Sequence, residues 1–183
     1  AKKELIRLAA DPKCVAIGEI GLDYYYEEPV RDIQKTAFEG QLALALSLKK
    51  PVVIHSRDAA LDTLDFIRAS GIEAAGGIMH CFSYSPEVAE ECLKMNFYIG
   101  VGGALTFKNA RKLPEVVAMC PLDRLVIETD SPYMAPVPFR GKRNDSSNLT
   151  YVCSKIAEIR NISEEEVERI TFENAKRVYR IED

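Results

Sequence analysis

Short apolar runs rich in valine and isoleucine alternate along the chain with longer stretches in which apolar residues recur every three or four positions. The apolar runs predict strands that are covered on both faces, as the strands of parallel sheets are. Five such strands are predicted, at residues 15–20, 51–55, 77–81, 97–102 and 125–130. Their alternation with helices predicts an α/β fold built from β/α units.

The stretches between the predicted strands carry helical signals. The helix predicted at 32–50 has an apolar stripe that includes Ile33, and the helix predicted at 58–70 has one that includes Leu61. Further helices are predicted from residue 86, from residue 114, at 148–160 and at 163–181. No linker or low-complexity stretch interrupts the pattern, so residues 1–183 are predicted to form a single domain.

Four polar side chains stand at the carboxyl ends of predicted strands. The only two histidines of the chain, His55 and His80, directly follow the apolar runs PVVI and GGIM. Glu19 and Asp130 take the matching positions in AIGE and LVIETD. In parallel β/α folds the active site forms at this edge, where the loops converge. We therefore expect these four side chains to meet at one place.

Imidazole nitrogens and carboxylate oxygens are suitable ligands for a divalent ion such as zinc, manganese or magnesium. A carboxylate that bridges ions, with an acid that takes a proton from metal-activated water, makes a hydrolytic site. Structural alternatives remain open at this point, because a histidine that ends a strand is often only hydrogen-bonded and Glu19 could be an ion-pair partner. Spacing also leaves open whether Glu128 or Asp130 is the ligand.

Composition limits the kinds of partner and the cellular location that can be predicted for this protein. With 24 basic and 28 acidic side chains the net charge is −4, which argues against a surface built throughout to coat nucleic acid, so a polyanion site must be local. Five cysteines without a CxxC pair, and no long apolar span, predict a reducing, cytoplasmic location with no membrane association.

Five ordered segments resemble the TatD family of metal-dependent deoxyribonucleases. They are GEIGLDYYYE (18–27), PVVIHSRDA (51–59), GIMHCFS (77–83), YIGVGGALTFKNA (98–110) and RLVIETDSPYMAPVPFRGKRN (124–144), and the likeness covers essentially the whole chain. The resemblance implies a TIM-type (β/α)8 barrel of the metal-dependent hydrolase type. It also implies hydrolysis of DNA, often as a 3′ to 5′ exonuclease, with divalent metal ions (Mg, Mn or Zn), two per site in the complete barrel.

The same motifs imply roles for individual residues. Glu19 of GEIGLD corresponds to the acid that bridges two metal ions in the family, and it forms one metal site with His55 and His80. Asp130 of ETDSP corresponds to a metal ligand and general base. The resemblance thus selects Asp130 over Glu128 and predicts Asp130 and Glu19 as catalytic residues.

The sequence also departs from the family pattern. The family has a strand with a His-x-His pair and further β/α units ahead of GEIGLD, so we expect only about five of the eight units here. The length of 183 residues falls below the roughly 200 residues of a small complete barrel. Open sheet edges present unpaired backbone groups, which favours self-association.

Cations near the predicted site suggest a partner. Arg140, Lys142 and Arg143 follow the last predicted strand, and Arg57 comes two residues after His55. Guanidinium and ammonium groups pair with phosphate oxygens, so these four residues are predicted to bind DNA, either single strands or DNA ends. Aromatic side chains in the corresponding loops are weaker candidates for stacking on an unpaired base: Tyr24, Tyr25 and Phe82.

Three functions are consistent with these features of the sequence. A metal-dependent hydrolase that cleaves phosphodiester bonds of DNA is the leading hypothesis. An amidohydrolase-like barrel that acts on a small amide or ester shares the same logic of histidines and acids at strand ends. The third is a non-catalytic truncated chain that lacks the full metal site.

Overall fold

The computed structural model describes residues 2–182, which fall into two compact units. The first unit contains the described residues up to His80, with Lys94–Phe97 and the residues from Lys176 onward. The second unit contains Cys81–Leu93 and Tyr98–Ala175. The prediction of a single domain stays a prediction.

The described residues contain five strands and seven α-helices. The strands are β1 (Ile17–Asp23), β2 (Val52–Arg57), β3 (Gly77–Met79), β4 (Phe97–Val101) and β5 (Leu125–Ile127). The helices are α1 (Lys2–Ala9), α2 (Arg31–Ser47), α3 (Ala60–Ser70), α4 (Pro86–Lys94), α5 (Lys112–Met119), α6 (Leu149–Arg160) and α7 (Glu164–Tyr179). Both the number of strands and their alternation with helices agree with the sequence prediction.

In the first unit, β1 pairs in parallel with β2, and β2 pairs in parallel with β3. Fully buried side chains from the strands and from α2 form its core, among them Leu22, Phe38, Leu42 and Ile54. Removing such side chains from water is the main favourable contribution to folding. The core therefore fixes the strands on which the polar cluster described below is built.

Gly21 permits an unusually close approach of β1 to β2. It has φ of +143° and lies opposite His55 in the strand register. A Cβ atom at Gly21 would lie 1.9 Å from the carbonyl oxygen of His55, so no other residue fits without moving the backbone.

In the second unit, β4 pairs in parallel with β5. Two polar side chains fasten helices to this part of the fold. Asn174, 1% exposed, donates from its amide to the carbonyl oxygens of Leu122 and Leu125 at 2.8 and 2.7 Å. Arg160 donates to the carbonyl oxygens that end α5, which are those of Val117, Ala118 and Cys120. Such bonds satisfy carbonyl groups that have no partner within the helix.

Some sequence predictions were wrong in detail. The first two strands run further than predicted, so Glu19 and His55 lie inside β1 and β2 and not at their ends. The reason is the run of backbone pairing that continues to Asp23 and Arg57. Ile33 and Leu61, predicted to face the core, are 60% and 78% exposed, because α2 and α3 bury neighbouring positions instead.

Among residues 2–182, none of the helices has both the length and the apolar character that crossing a lipid bilayer demands.

Candidate metal centre

The carboxylate of Glu19 lies beside both histidines in the first unit. Its Oε1 atom is 2.9 Å from Nδ1 of His55 and 3.8 Å from Nε2 of His80. The side chains of Glu19, His55 and His80 are 46%, 32% and 11% exposed, so the cluster is open to solvent on one side. The structure therefore brings together three of the four residues predicted at the site.

The positions of these residues follow from the strands that carry them. His55 pairs with Gly21, and side chains two positions apart on a strand point to the same face. Glu19 and Asp23 therefore flank the position opposite His55, and the missing side chain of Gly21 leaves room for the imidazole ring. His80 directly follows β3, and its backbone N–H donates to the carbonyl oxygen of Ile54 at 2.9 Å.

Asp23 is a site residue that the sequence prediction missed. Its Oδ2 atom is 3.0 Å from Nε2 of His55, so each ring nitrogen of this histidine faces a carboxylate. The prediction ended the first strand at residue 20, which placed Asp23 in a loop. The available signal was the spacing of Glu19 and Asp23, four residues apart, which puts both acids on one face of an extended strand.

Gln34 holds the backbone at Asp23 in place. This side chain, 9% exposed, accepts a hydrogen bond from the backbone N–H of Asp23 at 2.7 Å. Its amide donates to the carbonyl oxygens of Asp23 and Pro29 at 2.8 and 2.7 Å. A buried amide with several partners has one favoured orientation, so Gln34 fixes the end of β1 and with it the carboxylate of Asp23.

The charges within the cluster reinforce one another. The hydrogen bond from His55 lowers the pKa of Glu19, although partial burial acts in the opposite direction and the nearby His80 adds a smaller lowering effect. The hydrogen bond to Glu19 raises the pKa of His55, partial burial opposes this, and Asp23 adds to the rise. An ionised carboxylate beside a proton-binding imidazole is the expected state when no cation competes for the same atoms.

This donor set suits a divalent cation. Glu19 offers a carboxylate oxygen, and His55 and His80 offer imidazole nitrogens within 4 Å of it. A histidine that binds a metal usually donates its other N–H to a carboxylate, which fixes the ring and raises its basicity. Asp23 stands in that position beside His55. The four residues fit a metal centre of the kind predicted from the motifs.

A cavity of about 540 Å³ opens next to this cluster within the first unit. Its polar lining includes Glu19, Asp23 and His55, and its apolar lining includes Tyr26 and Ile33. Ligand cavities in proteins commonly combine an apolar wall with a few convergent polar groups.

Asp130 lies in the second unit, three residues beyond the end of β5. It has φ of 56°, and its carbonyl oxygen accepts a hydrogen bond from the backbone N–H of Tyr133 at 2.8 Å, which makes a tight turn. Glu128 has a structural partner, because its carboxylate accepts a hydrogen bond from the backbone N–H of Cys81. The role of Asp130 as ligand and base stays a prediction.

Three of the four predicted DNA-binding cations rest on aromatic rings. The guanidinium carbon of Arg57 lies 3.7 Å from the centre of the Tyr25 ring in the first unit. In the second unit Arg140 lies 4.3 Å from the Phe107 ring, and the ammonium of Lys142 lies 5.9 Å from the Phe139 ring. Arg143 is exposed. Cation–π contacts orient such side chains while they keep their charge, so phosphate binding by these four residues stays a prediction.

The aromatic candidates for base stacking differ in their surroundings. Tyr25 is 59% exposed, whereas Phe82 is 3% exposed. The hydroxyl of Tyr24 donates to a carboxylate oxygen of Asp62 at 2.5 Å, and Arg31 covers its ring at 4.3 Å. Tyr25 therefore offers the most accessible ring of the three.

Comparison with known proteins gives consistent results. The family model described as TatD related DNase matches residues 1–180. An uncharacterised metal-dependent hydrolase of Bacillus subtilis, YabD, is 54% identical over 174 residues, which are 95% of this chain and 68% of that protein. A Pantoea vagans protein named 3′-5′ ssDNA/RNA exonuclease TatD is 34% identical over 182 residues, which are 97% of this chain and 70% of that protein.

Solved structures agree with these sequence relationships. The crystal structure of YJJV, a TatD homologue from Escherichia coli, matches with a TM-score of 0.90 and 31% identity over 99% of this chain and 69% of that chain. A TatD family hydrolase from Entamoeba histolytica matches with a TM-score of 0.86 and 27% identity over 97% of this chain and 68% of that chain. The predicted α/β fold of the TIM-type barrel class is confirmed by these matches.

Proposed function

Because the chain belongs to the family of TatD-related DNases, which are metal-dependent hydrolases, we propose that it hydrolyses phosphodiester bonds of DNA. In this proposal it releases nucleotides in the 3′ to 5′ direction from single strands or exposed ends. The observation that carries it is the carboxylate of Glu19 within 4 Å of imidazole nitrogens of both His55 and His80.

Each predicted site residue, and Asp23 with them, has a definite task in this reaction. Glu19, His55 and His80 would hold a divalent cation, which would supply Lewis acidity toward water and the phosphoryl group. Asp23 accepts the N–H of His55 and so leaves the other ring nitrogen available as a ligand. Asp130 acts as the general base that accepts a proton from the attacking water.

The positively charged residues bind the substrate backbone. Arg57 offers its guanidinium 3.7 Å from the exposed ring of Tyr25, so a phosphate contact and a base contact lie next to each other. Arg140, Lys142 and Arg143 provide further phosphate contacts. Backbone contacts do not read the bases, so little sequence preference is expected.

The direct test is nucleotide release from a 5′-labelled single-stranded oligonucleotide in the presence of Mg²⁺ or Mn²⁺. We expect wild-type activity that a chelator abolishes, and a loss of about 10²–10⁴-fold in Glu19→Gln and in Asp130→Asn. Glu39→Gln, an exposed carboxyl change on α2, serves as the matched control. Full activity in both site variants would reject the assigned roles.

A panel of small amides and esters separates this proposal from the amidohydrolase-like alternative. Hydrolysis of those compounds without any release of nucleotides would support that alternative. A chain without activity on either class in the presence of metal would support a non-catalytic role.

A further inference from the structure

A second cavity lies entirely within the second unit and has a volume of about 390 Å³. This volume falls in the range of small-molecule sites, roughly 300–1,000 Å³. Two aromatic rings, an amide and two cations line it, and these come from Phe82, Phe107, Asn109, Arg111 and Lys112. None of its described lining residues is acidic.

Backbone and side-chain bonds hold the aromatic part of this cavity in place. Phe82 is 3% exposed, and its backbone N–H donates to the carbonyl oxygen of Gly100 in β4 at 3.0 Å. Phe107 ends the short helical turn after β4, where Thr106 accepts a hydrogen bond from the backbone N–H of Val137 at 2.8 Å. The two rings therefore stand on positions fixed by β4 and by the loop after β5.

The ring of Phe107 also has a cation beside it. The guanidinium carbon of Arg140 lies 4.3 Å from the centre of this ring. Arg140 is one of the residues predicted to bind phosphate, so the ring that borders the cavity belongs to the same local structure as the basic loop after β5. A strand bound by that loop would have a nucleotide close to Phe107.

The polar groups of the cavity suit one class of ligand. Asn109, Arg111 and Lys112 are exposed, so their charges and hydrogen-bonding groups lie at the rim. An apolar interior with a positive rim fits an anion that carries a flat, apolar ring system.

We propose that this cavity binds one unpaired nucleotide of the DNA strand, with the base against Phe107 and a flanking phosphate on Arg111 and Lys112. The amide of Asn109 both donates and accepts hydrogen bonds, so it suits the polar edge of any base. The inference rests on the proposed nuclease function and adds a defined base subsite to it. Stacking on a ring tolerates every base, in keeping with a nuclease of low sequence preference.

The test compares the affinity of the metal-loaded protein for two oligonucleotides of equal charge. One is hexathymidylate and the other is a hexamer of abasic residues, both with phosphorothioate linkages that resist hydrolysis. Fluorescence anisotropy gives the dissociation constant of each. We expect the wild type to prefer the strand with bases by roughly five- to a hundredfold, which corresponds to one stacked base.

Substitutions at Phe107 should change this preference for bases according to the side chain that replaces the ring. Phe107→Ala should lose the part of the preference that one stacked base contributes, and Phe107→Leu, which keeps most of the volume, should do the same. Phe107→Trp should retain the preference. The control is Phe172→Ala, because Phe172 is 64% exposed on α7 and lines a different cavity. The double change Arg111→Gln with Lys112→Gln should weaken the binding of both hexamers. It should also reduce the salt slope, which is the dependence of log affinity on log salt concentration, by about 0.7, the value for one phosphate contact on a single strand.

The outcomes separate this inference from the proposed function. If the wild type releases nucleotides from DNA but Phe107→Ala keeps the full preference for bases, the base subsite is wrong and the nuclease function stands. If the wild type neither binds the hexamers nor cleaves DNA, both proposals fall together.

Discussion

The cluster around Glu19 in the first unit and the aromatic and basic region around Phe107 in the second unit are built in different ways. In the cluster, strand register sets the geometry, since Gly21 opposite His55 leaves Glu19 and Asp23 on either side of the imidazole. Around Phe107, loops set the geometry, through a bond between Thr106 and Val137 and the stacked Arg140.

This difference is in keeping with the proposed function. Bond-making chemistry needs atoms placed to within fractions of an ångström, and paired strands provide that rigidity. Binding a chain of variable bases needs charge and ring surface more than exact placement, and loops supply these groups. Substitutions should therefore have larger and sharper effects at the strand-borne cluster than at the loop-borne region.

The largest effect is expected where the register is broken. In Gly21→Ala the new methyl group would collide with the carbonyl oxygen of His55 at 1.9 Å, in a backbone conformation unsuited to alanine. We expect a loss of about 2–4 kcal/mol in the free energy of unfolding, with loss of metal binding. Chemical denaturation measures the first and metal titration the second.

Gly40→Ala supplies the matched comparison for that variant. Gly40 lies inside α2 and a methyl group there meets no atom within 4 Å, so this change should stabilise the protein by about 0.5–1 kcal/mol. Equal stability of the two alanine variants would show that the close contact of β1 with β2 does not constrain the cluster.

The next largest effect is expected at Asp23, the carboxylate that faces Nε2 of His55. Asp23→Asn keeps the shape of the side chain but removes the charge that faces Nε2 of His55. We expect metal affinity to fall about 10–100-fold, the usual cost of losing such a partner, with a matching fall in activity at limiting metal. The change in the dissociation constant of Mn²⁺ is the measurement. Asp65→Asn, an exposed change on α3, is the control and should leave this constant as it is.

A smaller effect is expected in the loop-borne region. Arg143→Gln removes one exposed cation from the loop after β5. We expect weaker binding of single-stranded DNA and a salt slope reduced by about 0.7, the value for one phosphate contact on a single strand. The rate of cleavage at saturating DNA should stay the same. A large fall in that saturating rate, with an unchanged salt slope, would assign Arg143 to the chemistry instead.

The smallest effect is a titration in the chelator-treated protein. Glu19 and Asp23 raise the pKa of His55, so nuclear magnetic resonance should find it above the ordinary value of about 6.5 and lower in Asp23→Asn. Because the folded value is the higher one, the stabilising contribution is complete below the unfolded pKa and disappears as pH rises through the folded pKa. A pKa of His55 at or below the ordinary value would contradict the paired geometry.

The sequence was most informative where chemistry coincides with strands. Two histidines and an acid directly after apolar runs predicted a meeting of Glu19, His55 and His80, and the structure brings these three together. Asp23 was not predicted as a site residue because the predicted strand ends at residue 20. In the structure, backbone pairing with Arg57 extends β1 to Asp23. Pairing with a distant segment leaves no mark in local hydrophobicity.

The sequence could not determine which apolar positions of a helix are buried, or which loops contact one another. Apolar periodicity placed Ile33 and Leu61 toward the core, yet both are exposed, because a helix has several apolar positions and only packing selects among them. The cavity beside Phe107 depends on bonds between loops that are about 30 residues apart, such as Thr106 with Val137, separated by 31 positions. Motif spacing within one segment contains no information on such contacts.

Binding of Mn²⁺ to the chelator-stripped protein tests the central claim most directly. Calorimetric titration of the wild type and of Glu19→Gln, His55→Asn and His80→Asn gives the affinity and the number of bound ions for each. The account predicts binding by the wild type and a loss of at least about tenfold in affinity in every variant. Unchanged affinity and stoichiometry in all three folded variants would show that these side chains do not form a metal centre.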